Sequence, residues 1–191
     1  MSSKSNEVFS GVLGEEATLR KVRGKLVVKN RPRRRLTKPK DKPVDGANRA
    51  VLRFAEAVQY AKQQTADPGS ASFALYKTGI TARKRSAFMV ALTDYLSAPK
   101  VHYIDGVGYH GAVGERIMVK ATDNFQVTKV IVMITDAAGN RVEEGEAGAD
   151  ANGVGLWGYK ATTANPALAG TTIRAIAYDR PGNMATLDIK L

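Results

Sequence analysis

The 191-residue chain predicts a mainly β protein with a helical insert and an extended basic arm near its start. Three observations carry this. From Lys100 onward apolar and polar residues alternate with a period of two, the repeat of a half-buried strand. Between Asp45 and Leu96 the apolar spacing is instead three and four, the repeat of a helix. Between Arg20 and Lys42 stand twelve Lys and Arg against the single acid Asp41, a local excess equal to the +11 of the whole chain.

Residues 1–44 divide into a hairpin and an arm. Ala17–Val22 and Lys25–Asn30 flank Arg23-Gly24, and glycine's access to left-handed backbone suits a two-residue turn. Leu19, Val22, Leu26, Val27 and Val28 are the strong apolar residues of this hairpin. A lone hairpin is marginal in water, so it needs a surface to dock on. In Arg31–Pro43 the prolines 32, 39 and 43 forbid a helix, and like charges stretch the segment. It reads as an arm, and the partner-binding or polyanion-binding candidates are Arg20, Lys21, Arg23, Lys25, Lys29, Arg31, Arg33, Arg34, Arg35, Lys38, Lys40 and Lys42.

Residues 45–99 predict two short helices. Asp45 can cap the first, in which Val51, Phe54, Val58 and Ala61 form a stripe, and Asp67-Pro68-Gly69 ends it. A second starts near Thr81, carries Phe88, Leu92 and Tyr95, and stops before Pro99. On this reading Arg83-Lys84-Arg85 fall in a first helical turn, where the dipole disfavours positive charge; a solvated face is the default and anion contact the alternative.

Residues 100–191 hold about seven strands. Ile117, Val119 and Ala121 share one face, as do Trp157, Tyr159 and Ala161, then Ile173, Ala175 and Ala177, and finally Ala185, Leu187, Ile189 and Leu191. Asp123-Asn124, Ala138-Gly139-Asn140, Asn152-Gly153, Ala169-Gly170 and Pro181-Gly182-Asn183 punctuate them as turns. That count in that length predicts an immunoglobulin-like antiparallel β-sandwich. Val127–Thr135 is apolar on both faces, which asks for cover on both, from the helices or from another subunit.

Two resemblances add to this. The final IRAIAYDRPGNMATLDIKL resembles the end of bacterial Ig-like domains, whose penultimate strand closes in an A-x-D-x-x-G-N turn, here Ala177, Asp179, Gly182 and Asn183. The Cys–Trp–Cys signature of antibody domains is missing, so the resemblance implies architecture alone. The front half resembles an uncharacterised protein family of Bacteroidota, carried by Gly11, Gly14, Gly24, Val27, Val28, Arg31, Pro32, Arg49, Arg53, Phe54 and Ala55. That family brings no activity with it.

Composition narrows the chemistry. There is no cysteine and there are only two histidines, so thiolate metal sites and disulfides are excluded and a structural zinc site is not expected. No run approaches the roughly 20 apolar residues of a membrane span. No secretory signal is visible in Met1–Ser10, which implies a cytoplasmic start with a virion or extracellular assembly left open. His102 and His110 flank Gly106-Val107-Gly108 without a nucleophile motif, and Gly106–Gly114 lacks the Gly-Lys-Ser/Thr of a phosphate loop. Asp123, Asp136, Asp150 and Asp179 fall in turns, where carboxylates serve local backbone, without the spacing of a calcium loop. Glu143-Glu144-Gly145-Glu146 reads as a solvated loop, or as a receptor for a neighbour's arm.

No catalytic, cofactor or metal residue is nominated, and the chain is not expected to be an enzyme. The expected role is structural: an Ig-like body whose arm docks on neighbouring subunits of a homo-oligomer, filament or virion-like assembly. The alternative is nonspecific nucleic-acid binding through phosphates. The arm has no aromatic residue on which bases could stack.

Overall fold

In the computed structural model the described residues are 10–13, 17–22, 25–30, 45–151 and 153–191. The arm 31–43 and the turn Arg23-Gly24 lie outside them, and the side chains of the first three stretches are not described. The chain divides into two compact units, residues 1–44 and 45–191.

The first unit contains a three-stranded antiparallel sheet of β1 (Ser10–Leu13), β2 (Ala17–Val22) and β3 (Lys25–Asn30), in that order. The expected hairpin is present with its expected bounds, and Val22 pairs with Lys25. A third strand joins it: Ser10–Leu13 pairs along β2 from Arg20 to Ala17. A third strand is what a marginal hairpin needs to gain backbone partners on its second edge.

The second unit begins with three helices, α1 (Asp45–Gln64), α2 (Ala71–Thr78) and α3 (Ala87–Leu96). Two were expected, so α2 is a correction. It forms because Ser70 sits at its N-cap, its Oγ accepting from Phe73 N at 3.1 Å, and it stops at Gly79. The break at Asp67-Pro68-Gly69 stands, with Gly69 N donating to Asp67 Oδ1. The last helix starts later than Thr81 because Ser86 is the cap, accepting from Met89 N at 3.2 Å. Thr81 instead closes a separate turn with Lys84. Arg83, Lys84 and Arg85 therefore precede the helix and do not fall in its first turn.

The helices share a core of Ala57, Ala61, Tyr76, Ala87, Val90, Ala91 and Leu92. The stripe expected on α1 is corrected at its front: Val51 and Phe54 are exposed, and burial begins at Ala57. Only the second half of α1 meets its neighbours.

Seven strands follow: β4 (Lys100–Asp105), β5 (Arg116–Thr122), β6 (Val127–Thr135), β7 (Arg141–Ala149), β8 (Leu156–Lys160), β9 (Thr172–Asp179) and β10 (Met184–Lys190). They form an antiparallel sheet in the order β10-β9-β6-β7-β8-β5-β4. Its two ends, β4 and β10, lie against each other, so it is nearly closed. Strand β7 carries the chain round: its Arg141–Ala147 portion pairs with β6, and Gly148 and Ala149 pair with β8.

The expected inward faces of β5, β6 and β9 are buried; that of β10 is half-buried at Ala185, Leu187 and Ile189, and Leu191 is exposed. Ile117, Val119, Ala121, Val130, Val132, Ile134, Ile173, Ala175 and Ala177 are fully buried in one core. Each large aliphatic side chain there contributes about 1.5–3 kcal/mol. Alanines at 121, 147, 161, 175 and 177 keep the walls close around Tyr109 and Tyr159. Gly145 does the same within β7, where a Cβ would stand 2.7 Å from the Tyr159 ring. On the outer face of β6, Ile131 and Met133 are half-buried; Arg141 and Glu144 lie beside the first, and Arg141 and Arg174 beside the second. The run Glu143–Glu146 is corrected from a loop to the middle of β7.

Candidate functional site

The densest polar constellation among the described residues lies where the helices meet two turns of the β body. It is built from the β5–β6 turn (Asp123, Asn124, Phe125), the β9–β10 turn (Asp179 to Asn183), and facing residues of all three helices. Each turn is first of all local chemistry. Asp123 Oδ2 accepts from Phe125 N at 2.9 Å and Gln126 N at 3.2 Å. Asp179 Oδ1 accepts from Gly182 N at 2.9 Å and Asn183 N at 2.6 Å. These are the side-chain-to-backbone bonds that make aspartate a turn residue.

The turns then grip the helices. Asn183 Nδ2 donates to Asp179 Oδ2 at 2.7 Å and reaches the last carbonyls of α3, Tyr95 O at 3.1 Å and Ser97 O at 3.4 Å. Those carbonyls have no partner within the helix, so an amide from outside satisfies them. Asn124 Nδ2 donates to Thr93 O at 2.8 Å, and Lys84 Nζ donates to Asn124 O at 3.0 Å. Phe125 stacks on Tyr76 with ring centres 4.9 Å apart, and the Arg180 guanidinium lies 5.9 Å from the same ring.

Asp94 of α3 sits at the centre and is completely buried. Tyr76 donates to its Oδ2 at 2.7 Å, and the Tyr60 hydroxyl is 2.7 Å from that of Tyr76. Since Tyr76 gives its one proton to Asp94, Tyr60 donates in turn to Tyr76. Burial pushes the Asp94 carboxyl up to about 7; the Tyr76 bond opposes this, and the Asp123 and Asp179 charges add to it. Burial likewise raises Tyr76, helped by its bonds to Tyr60 and Asp94. It raises Asp179 as well, against the bonds from Asn183 and Gly182. Among the described residues, no group of three or more His, Asp or Glu is placed to hold a metal ion.

A second polar knot lies at the other end of β7. Glu143 Oε2 accepts from Tyr159 Oη at 3.0 Å, Thr162 N at 2.8 Å, Thr162 Oγ1 at 2.7 Å and Thr163 N at 3.1 Å. Burial, then the neighbouring Glu143, pushes the Tyr159 phenol up to about 12. Of the acidic run considered as a receptor for an arm, Glu143 is thus engaged within its own chain and Glu144 pairs with Arg141 at 2.9 Å. A cleft of about 440 Å³ opens beside Asp123, with Phe125, Val127, Asp150 and Trp157 among its lining residues.

The residues nominated from sequence fall elsewhere. Arg20 and Lys21 are on β2, Lys25 and Lys29 on β3, opposite Val27, Leu26, Val22 and Thr18 in turn. In this register no basic residue pairs with another. Arg23 and the seven cations from Arg31 to Lys42 lie outside the described residues. The histidines are separately engaged and exposed: His102 Nε2 with Thr122 Oγ1 at 2.6 Å, His110 Nδ1 with Glu115 Oε1 at 3.3 Å. Asp136 accepts from Ala138 N and Asn140 N, a turn as expected.

Asp94, Tyr60 and Tyr76 were not singled out in the sequence. One signal was present: Asp94 is the only charge in the otherwise apolar run Ala87–Leu96. No helix among the described residues is long and apolar enough to cross a membrane.

No protein-family model and no curated protein matches the chain. A solved structure, a tetra-tandem repeat in the extending region of a large adhesion protein, is similar at 24% identity with a TM-score of 0.33. The match covers 50% of this chain and 23% of that one. A likeness of this size carries no functional argument.

Proposed function

We propose that the chain is a non-enzymatic structural protein: an immunoglobulin-like body joined to a cationic N-terminal unit that docks on neighbouring subunits. The observation that carries the reading is the division of charge between the two units. Residues 1–44 hold thirteen Lys and Arg against four acids, a net of +9. Residues 45–191 hold sixteen against fourteen, a net of +2. A body close to neutral carries little field of its own, so long-range attraction falls to the first unit.

Strand order supports the immunoglobulin-like part. β4, β5, β8 and β7 follow one another as A, B, E and D do in a constant-type domain, and β6, β9 and β10 as C, F and G. The polar groups of the body support a structural role, because the turn aspartates, Asn183 and Glu143 are engaged in holding elements together.

Light scattering over a concentration series, on the full chain and on a chain lacking residues 31–43, tests the docking. The expected result is association that grows with concentration in the first and is lost in the second. Monomer throughout for the full chain refutes it. Titrating both chains with DNA and RNA at two salt concentrations tests the phosphate-binding alternative, whose mark is affinity that falls steeply with salt and disappears with the arm.

A further inference from the structure

We infer that Asp94 and Asp123 share a single proton, and that this proton is a pH-sensitive latch holding the helices to the β body. Asp94 Oδ2 is taken by Tyr76, and Asp123 Oδ2 by two backbone amides. The remaining oxygens, Asp94 Oδ1 and Asp123 Oδ1, are both buried and have no donor. The two residues are brought together where the β5–β6 turn meets α3: Asn124, next to Asp123, donates to Thr93 O, next to Asp94, at 2.8 Å, and the Asp123 carboxyl acts on that of Asp94. Carboxylates only accept, so two ionised ones in this position repel; with one proton between them they bond.

The surrounding groups do not relieve this. From α1 and α2 come Tyr60, which donates to the Tyr76 hydroxyl, and Tyr76, which donates to Asp94 Oδ2. From the β9–β10 turn come Asp179, a further negative charge, and Arg180, which lies over the Tyr76 ring. The raised titration of Asp94 agrees with this placement. The proton comes from solvent as pH falls.

The sign follows. A carboxyl raised in the folded state from 3.8 to about 7 gives stability that is fully present below about pH 4 and lost as pH rises through 7. Between those limits unfolding releases one proton, so the unfolding constant rises about tenfold per pH unit.

Urea unfolding of the full chain from pH 5 to 9, in wild type and D94N, tests the latch. The side-chain amide introduced by D94N supplies the missing donor permanently. The expected result is a wild-type slope one proton greater than that of D94N between pH 5 and 7, and parallel behaviour above pH 8. D123N, with a donor on the other side, is expected to match D94N. Equal slopes in wild type and both variants overturn the proposal. So does stabilisation of the wild type by added calcium above pH 7 that D94N lacks, since a cation then fills the gap.

Discussion

Replacing Glu143 with alanine is expected to cost about 3–5 kcal/mol, and the figure follows from its donors. Its Oε2 takes two backbone amides, Thr162 N and Thr163 N, and two hydroxyls, from Thr162 and Tyr159. The side chain is 7% exposed, so water does not readily replace it. Each buried donor left without an acceptor costs about 1–3 kcal/mol, with Thr162 Oγ1 free to turn elsewhere. Thr162 and Thr163 are exposed, so the low end applies to each of their amides, and with the full range for the buried Tyr159 phenol the sum is about 3–5 kcal/mol. Against a total stability of about 5–15 kcal/mol this is a large fraction. Urea unfolding followed by far-ultraviolet circular dichroism reads it directly. E143Q keeps one oxygen for the amides and is expected to lose only about 1–2 kcal/mol. A loss in E143A below about 1 kcal/mol refutes the reasoning, and shows that residues 162–163 are held by something other than this carboxylate.

Adding a methyl at Gly79 is expected to destabilise by about 1–3 kcal/mol on thermal melting, because its Cβ would meet Val90 at 2.7 Å and Phe125 at 2.8 Å. N183A removes the amide that bridges Asp179 to the end of α3; it is expected to lose about 1–2 kcal/mol and to speed hydrogen exchange at the last turn of that helix. The exposed two-bond pair of Arg174 with Asp188, at 2.7 Å on each bond, is screened by solvent and is expected to show only weak coupling in a double-mutant cycle. Its Arg174 bond holds the Asp188 carboxyl below its usual range, so that small stability is present above pH 4 and lost in stronger acid; in R174A the Asp188 resonance is expected to titrate at higher pH.

The β body was legible because period two reports burial directly. Ile117, Val119 and Ala121 had to face one way whatever the strand's neighbours, and they do. The helical segment was less legible for two physical reasons. A stripe such as Val51 and Phe54 states a capacity to bury, while burial itself depends on what the fold brings opposite. And α2 has only eight residues, with Tyr76 alone buried, too few to show a period. Asp123, Asp136 and Asp179 carry the expected turn chemistry, each accepting backbone amides close in sequence, but the place of the second Asp123 oxygen, buried near Asp94, is set by distant chain. Asp94 was invisible for the same reason, since its partners lie 18 and more residues away.

That division between first and second oxygens separates two turns that look alike in sequence. Asp123 and Asp179 each accept two local amides through one oxygen. The other oxygen of Asp179 receives the Asn183 amide, whereas that of Asp123 receives nothing. Converting each to asparagine therefore has opposite consequences above neutral pH. In D179N the new amide either faces the Asn183 donor or displaces an acceptor from the turn, so about 1–3 kcal/mol is lost at every pH. In D123N the amide can point at Asp94 Oδ1 while the carbonyl keeps the turn, which removes a repulsion and adds a bond. At pH 8 D123N is therefore expected to unfold at higher urea than wild type and D179N at lower. If both variants are destabilised alike at that pH, Asp123 is only a turn residue and its second oxygen has a partner in solvent.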